Sequence, residues 1–315
     1  MKDFFKFLIT SLLIACLMLA GTFYGIIMEQ KDTFHSAYVS LLQDKYDMLM
    51  ATNEPKIVIV AGSSSAFGIN APMLEEATGY KVCNMALHAG FGPWFYTEVS
   101  MSNINEGDIV LLAYENLWQS NFKDIDQTMC MSAIDNHIEM YSHLSPDLIR
   151  QLVGNMFYYA DTKANYSGDE ISPYYCREAF DPVTLQMTVQ RDGAFDANIY
   201  GVAGPELFPT EISQESIDYL RSLKASIESK GASVYFILPP ITRTGVGVDE
   251  TFLNNLMADE ERLIGIPCIS DPADYFFPDE WMLDSMYHCN SYGEIMRTER
   301  LIADLRRGAG ILFRA

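Results

Sequence analysis

Residues 7–28 read FLITSLLIACLMLAGTFYGIIM, 22 consecutive positions without a charged side chain. A helix rises about 1.5 Å per residue, so this run spans roughly 33 Å, about the hydrocarbon thickness of a bilayer. No second run of this kind occurs in the chain, which argues against a polytopic membrane fold. Lys2 and Lys6 precede the run against Asp3, while Glu29, Lys31 and Asp32 follow it. The positive end is the N-terminal one, which predicts a cytoplasmic N-terminus and an extracytoplasmic body. An uncleaved anchor is one of three readings. A cleaved signal would have a shorter apolar core ending in small residues. A lipoprotein box at Leu13-Ile14-Ala15-Cys16 is the third, but apolar sequence continues for 12 residues beyond Cys16.

The rest of the chain is acidic. The whole sequence has 42 Asp and Glu against 21 Lys and Arg, a net charge of −21. The residues before the body contribute +1, so residues 29–315 carry −22. Nucleic-acid binding needs a basic surface, so no nucleic-acid partner is expected. Hydrophobic residues make up 49% of the chain, enough for a packed core, which excludes disorder. Six Cys in 315 residues exclude a small disulfide scaffold, and none of Cys83, Cys130, Cys176, Cys268 and Cys289 forms a C-x-x-C pair.

Residues 29–54 are polar with scattered apolar positions and predict a helical linker, closed by Pro55. Beyond it, short β-branched runs alternate with helical patterns. Strands are predicted at 56–62, 81–87, 108–113, 232–239 and 266–270. The intervening helices are marked by Pro72, Pro93 and Ser213 at their starts and by Gly79, Gly107 and Gly231 at their ends. Five strands with helical crossovers predict a doubly wound α/β domain over 55–315. An insertion at about 121–212 separates the third and fourth strands; it is helical at first, then aromatic and turn-rich.

In such sheets the ligand lies at the carboxyl ends of the strands. After the first strand comes Gly62-Ser63-Ser64-Ser65-Ala66-Phe67-Gly68, where a serine hydroxyl on a tight turn can enter the crevice. A Ser-rich turn without chemistry is the plainer reading. The block lacks both G-x-G-x-x-G and a Lys after its glycines, so a nucleotide loop is not supported. After the second strand, Gly90 lies in a loop whose backbone can approach a ligand. After the third, Asn116 is either a donor or a helix cap. After the last, Asp284 precedes His288 by four residues. A carboxylate there can hold the imidazole in one tautomer and leave its other nitrogen free to accept a serine proton.

These blocks, GSSSAFGIN, CNMALHAGFG and DSMYHCNSYG, together resemble the SGNH/GDSL hydrolase superfamily. They resemble most its bacterial membrane-anchored branch, related to D-alanine-transfer D proteins and alginate-type O-acetyltransferases. The resemblance covers most of 56–120 and 213–306, not the insertion. It implies a three-layer α/β/α sandwich with a five-stranded parallel, flavodoxin-like sheet. It also implies Ser64 as nucleophile, with Ser63 where the family often has Asp. His288 is then the base and Asp284 its orienting acid. The backbone N–H groups of Ser64 and Gly90, with Asn116, form the oxyanion hole. The third block departs from the family's G-x-N-D, reading Ala113-Tyr114-Glu115-Asn116, and the acid and base stand D-x-x-x-H rather than D-x-x-H. The implied activity is an extracytoplasmic esterase or O-acyltransferase without metal or organic cofactor. Its substrate would be an acylated envelope glycan or small ester, and a membrane acyltransferase its partner. A non-catalytic anchored binding protein on the same fold is the contrasting expectation. A lipase acting on free lipids is a third, and needs an open apolar pocket.

Overall fold

The computed structural model describes residues 2–30, 32–115, 122–168, 172–204, 208 and 211–309. Helix α1 (Lys2–Met28) is long and apolar enough to cross a membrane. Its side chains are exposed through Thr22, after which Phe23 and Ile26 pack partly against the body and Ile27 is buried in it. The residues of the expected helical linker pack on the body. Phe34, Tyr38 and the apolar side of α2 (Leu41–Ala51) enter the main core through Leu41, Leu42, Tyr46 and Leu49.

The sheet is parallel, with β1 (Lys56–Ala61), β2 (Lys81–Asn84), β3 (Ile109–Ala113) and β4 (Ser233–Phe236) in the order β2-β1-β3-β4. All six residues of β1 and all five of β3 are buried, as continuous β-branched and aliphatic runs require when both faces are covered. Lys56 and Asp108 meet at the amino ends of these strands, 2.8 Å apart and fully buried. The same carboxylate also accepts the N–H of Lys56 at 3.0 Å and of Asn105 at 2.8 Å, so its charge is fully partnered.

The expected fifth strand at 266–270 does not form. Cys268 makes a single parallel bridge to Phe236, flanked by Phe236 N–H to Pro267 O (2.9 Å) and Ile269 N–H to Phe236 O (3.0 Å). Pro267 has no N–H to extend the ladder, and Pro239-Pro240 turn the chain away after β4. A separate two-stranded parallel pair, β5 (Ile241–Thr242) and β6 (Phe276–Phe277), lies beyond β4.

Helices α3 (Ser63–Gly68), α4 (Ala71–Thr78) and α5 (Gly92–Ser100) follow the first two strands. The insertion contributes α6 (Gln127–Ile134), α7 (Pro146–Gly154) and α8 (Met156–Asn165), whose buried faces join the main core. The last part adds α9 (Gln214–Ser229), α10 (Glu250–Ile264) and α11 (Ser291–Gly308). Helix α8 also holds the end of α1. The buried Lys163 ammonium donates to Ile27 O at 3.0 Å and pairs with Asp135 at 2.6 Å, and Phe23 meets Tyr141 edge-on at 5.7 Å.

Lys45 on α2 is buried and donates to Asn84 O at 2.7 Å, with no carboxylate partner among the described residues. Burial pushes its pKa down from 10.5 to about 7, despite the opposing pull of Cys83 and Asp44. Between those two pH values the unfolded chain keeps the proton that the folded chain has released. Stability therefore rises with pH across this window. Urea unfolding of wild type and Lys45→Met should show a wild-type disadvantage that shrinks as pH rises above about 7. A wild-type-to-variant difference independent of pH would contradict this.

Candidate active site

The order of strand addition reverses at β1, with β2 on one side and β3 on the other, so a crevice opens at the carboxyl ends of β1 and β3. Gly62 leaves β1 there and Glu115 leaves β3. Glu115, buried, accepts the N–H of Gly62 at 3.1 Å and of Ser64 at 2.9 Å, one on each oxygen. This contact requires glycine at 62. A Cβ there would stand 2.7 Å from Glu115 Oε2 and 2.8 Å from Ala89 Cα. The buried Arg297 of α11 donates to Ser64 O at 2.6 Å and Ser65 Oγ at 3.1 Å.

Clamped in this way, the turn directs Ser63 into the crevice. Its Oγ lies 2.8 Å from His288 Nε2. The hydroxyl that meets the imidazole is therefore that of Ser63, one position before the Ser64 expected from the sequence. Ser64 Oγ is fully buried and has no hydrogen-bond partner among the described residues, and Ser65 Oγ is taken by Arg297. The Ser64 N–H, expected to face an oxyanion, is given to Glu115.

His288 and Asp284 lie where the sequence places them relative to each other. His288 Nδ1 is 2.7 Å from Asp284 Oδ1. The longer D-x-x-x-H spacing works because Met282 and Cys289 form an antiparallel bridge, which folds the intervening loop back on itself. Asn290 then caps α11 through Gly293 N–H at 2.9 Å and pins the loop through Gly193 O and Glu280 O, both at 2.7 Å. The imidazole plane is fixed by Phe67, stacked at 4.2 Å between centroids and 9° between planes. With Nδ1–H directed at the carboxylate, Nε2 is left to accept the Ser63 proton, a tautomer inferred from these partners. Burial would raise the Asp284 pKa, but hydrogen bonds from His288 and Tyr175 outweigh it and hold the carboxyl below the ordinary range.

Gly90 lies beside the crevice through its neighbour Ala89, but its N–H donates to His88 Nδ1 at 2.9 Å. Burial lowers the His88 pKa, and the nearby His288 adds to the effect, which favours the neutral ring needed to accept that bond. Asn116 lies outside the described residues. Ser63 N–H is not among the groups that Glu115 takes. Among the described residues, no group of three or more His, Cys, Asp or Glu is arranged to hold a metal ion.

Sequence reasoning missed Ser63 as the hydroxyl that faces the crevice, Glu115 and Arg297 as the clamp, and Tyr175, whose hydroxyl reaches Asp284 Oδ2 at 2.8 Å from inside the insertion. The i+4 relation of Asp284 and His288 carried a signal; Tyr175 carried none. Compared with known proteins, the chain matches no family model and no curated protein.

The geometry makes a direct prediction for full-length protein treated with a fluorophosphonate. Ser63→Ala should abolish labelling, whereas Ser64→Ala should retain it, because Ser64 Oγ makes no hydrogen bond. Labelling that survives in Ser63→Ala and disappears in a folded Ser64→Ala would reverse the assignment.

Proposed function

We propose that this protein is a membrane-anchored serine esterase or O-acyltransferase acting outside the cytoplasm on acylated envelope polysaccharide. The observation that carries the reading is the continuous Ser63–His288–Asp284 chain, at 2.8 and 2.7 Å, at the carboxyl edge of a parallel sheet. The resemblance of the sequence blocks to SGNH/GDSL hydrolases supports it. The strand order β2-β1-β3-β4 supports the flavodoxin-like, three-layer version of that fold.

Ser63 Oγ attacks the ester carbonyl carbon while His288 Nε2 takes its proton. Asp284 stabilises the imidazolium that forms. Ser63 N–H donates to the developing oxyanion, and Gly90 N–H joins it once it exchanges His88 for the substrate oxygen. Collapse expels the alcohol, which takes the proton back from His288. Water or a glycan hydroxyl then attacks the acyl-serine by the reverse sequence, giving a free acid or a transferred ester.

Burial of Ile27 and the bond from Lys163 to its carbonyl support an uncleaved anchor, since cleavage near residue 28 would remove Ile27 and with it both contacts. Lys2 and Lys6 support a cytoplasmic N-terminus.

A non-catalytic binding protein is the second reading. It is favoured by one observation, that Glu115 and His88 already take the N–H groups of Ser64 and Gly90. Turnover of p-nitrophenyl acetate separates the two. Loss of the imidazole in His288→Ala should lower the rate by roughly 10²–10⁴. Adding deacylated glycan should divert the acyl group from water to sugar if the enzyme is a transferase. A wild-type rate equal to that of His288→Ala would support the binding role instead.

A further inference from the structure

Tyr175 belongs to the insertion, outside every block that the sequence singles out. Its hydroxyl donates to Asp284 Oδ2 at 2.8 Å and lies 3.1 Å from His288 Nδ1. Asp284 thus has each oxygen assigned, Oδ1 to the imidazole and Oδ2 to the phenol. The ring is held on two sides, 5.4 Å from Phe67, which itself stacks on His288, and 5.8 Å edge-on from Tyr38. The backbone around it is fixed as well, because Ser172 Oγ accepts the N–H of Tyr174 and Tyr175 at 3.2 and 3.1 Å. Two residues on, Arg177 reaches back to Ser40 Oγ at 3.1 Å and pairs with Asp44 on α2.

We infer that Tyr175 is a positioning residue of the active site, supplied by the insertion to orient Asp284 and to temper its charge toward His288. The inference rests on the serine-hydrolase reading for its effect on rate, but its geometric content stands apart from it. A carboxylate with one free oxygen can rotate away from the imidazole; a second, fixed donor prevents this. The phenol also draws charge from the carboxylate, so the imidazolium is held less tightly and returns its proton more readily to the leaving alcohol. Burial and the Asp284 carboxylate both push the phenol pKa up, so the group stays a donor throughout the working range.

Tyr175→Phe tests this, because it keeps the ring against Phe67 and Tyr38 and removes only the hydroxyl. In full-length protein in detergent, kcat should fall about tenfold with KM little changed. The acid limb of the pH–rate profile should move up by about half a pH unit, since an untempered Asp284 stabilises the imidazolium more. A second readout does not depend on turnover. The proton resonance of His288 Nδ1–H, identified by its absence in His288→Gln, should move in Tyr175→Phe. If wild type shows no hydrolysis or labelling and this resonance still moves, the serine-hydrolase reading fails and the role of Tyr175 stands. If wild type is active and Tyr175→Phe changes neither the resonance nor the acid limb, the role of Tyr175 is overturned.

Discussion

The site depends on one arrangement of charge. A carboxylate just beyond β3 and a guanidinium from α11 grip the same helical turn, one through its N–H groups and the other through a carbonyl and a hydroxyl. Glu115 takes the N–H groups of Gly62 and Ser64, while Arg297 takes the carbonyl of Ser64 and the hydroxyl of Ser65. Hydrogen bonds to charged groups contribute about 1.5–3 kcal/mol each, so rotating the turn would forfeit several at once. Successive helical residues point about 100° apart. Fixing the turn therefore fixes which of three adjacent serines faces the crevice, and it is Ser63.

The remaining parts converge on that hydroxyl from distant points in the chain. The buried Lys56–Asp108 pair ties β1 to β3 at one end of the sheet. The crevice and the Glu115 clamp lie at the other. The loop closed by Met282 and Cys289 brings His288 to Ser63, and Phe67, from the same short helix as Ser63, stacks on the imidazole. Helix α3 thus supplies both the hydroxyl and the surface that sets the plane of the imidazole. The insertion takes part too, with its helices in the main core and Tyr175 on Asp284.

Much of this arrangement is legible in the sequence. The runs at 56–62 and 108–113 read as buried strands because both faces are covered, and the alternation with helices gives a parallel sheet. Asp284 and His288 are readable because they are close in the chain. The fifth strand misleads because Ile266 and Ile269 look like a buried strand, while Pro267 between them ends the ladder. The choice among Ser63, Ser64 and Ser65 is not legible at all. It is set by Glu115 and Arg297, about 50 and 230 residues away, and no local pattern encodes the rotation of the turn. The blocks' resemblance to a family supplies Ser64 as the register for the serine, whereas the hydroxyl that meets His288 is that of Ser63. Tyr175 escapes for a similar reason, since a tyrosine in an aromatic, turn-rich segment has no spacing relation to the residues it meets.

The central claim is that Ser63 is the nucleophile activated by His288. The most direct measurement is to label wild-type, full-length protein with a fluorophosphonate and locate the adduct by fragmentation mass spectrometry of the peptide spanning residues 57–81. A single adduct on Ser63 is the predicted result. An adduct on Ser64 or Ser65, or no adduct under conditions that label a control serine hydrolase, would contradict it.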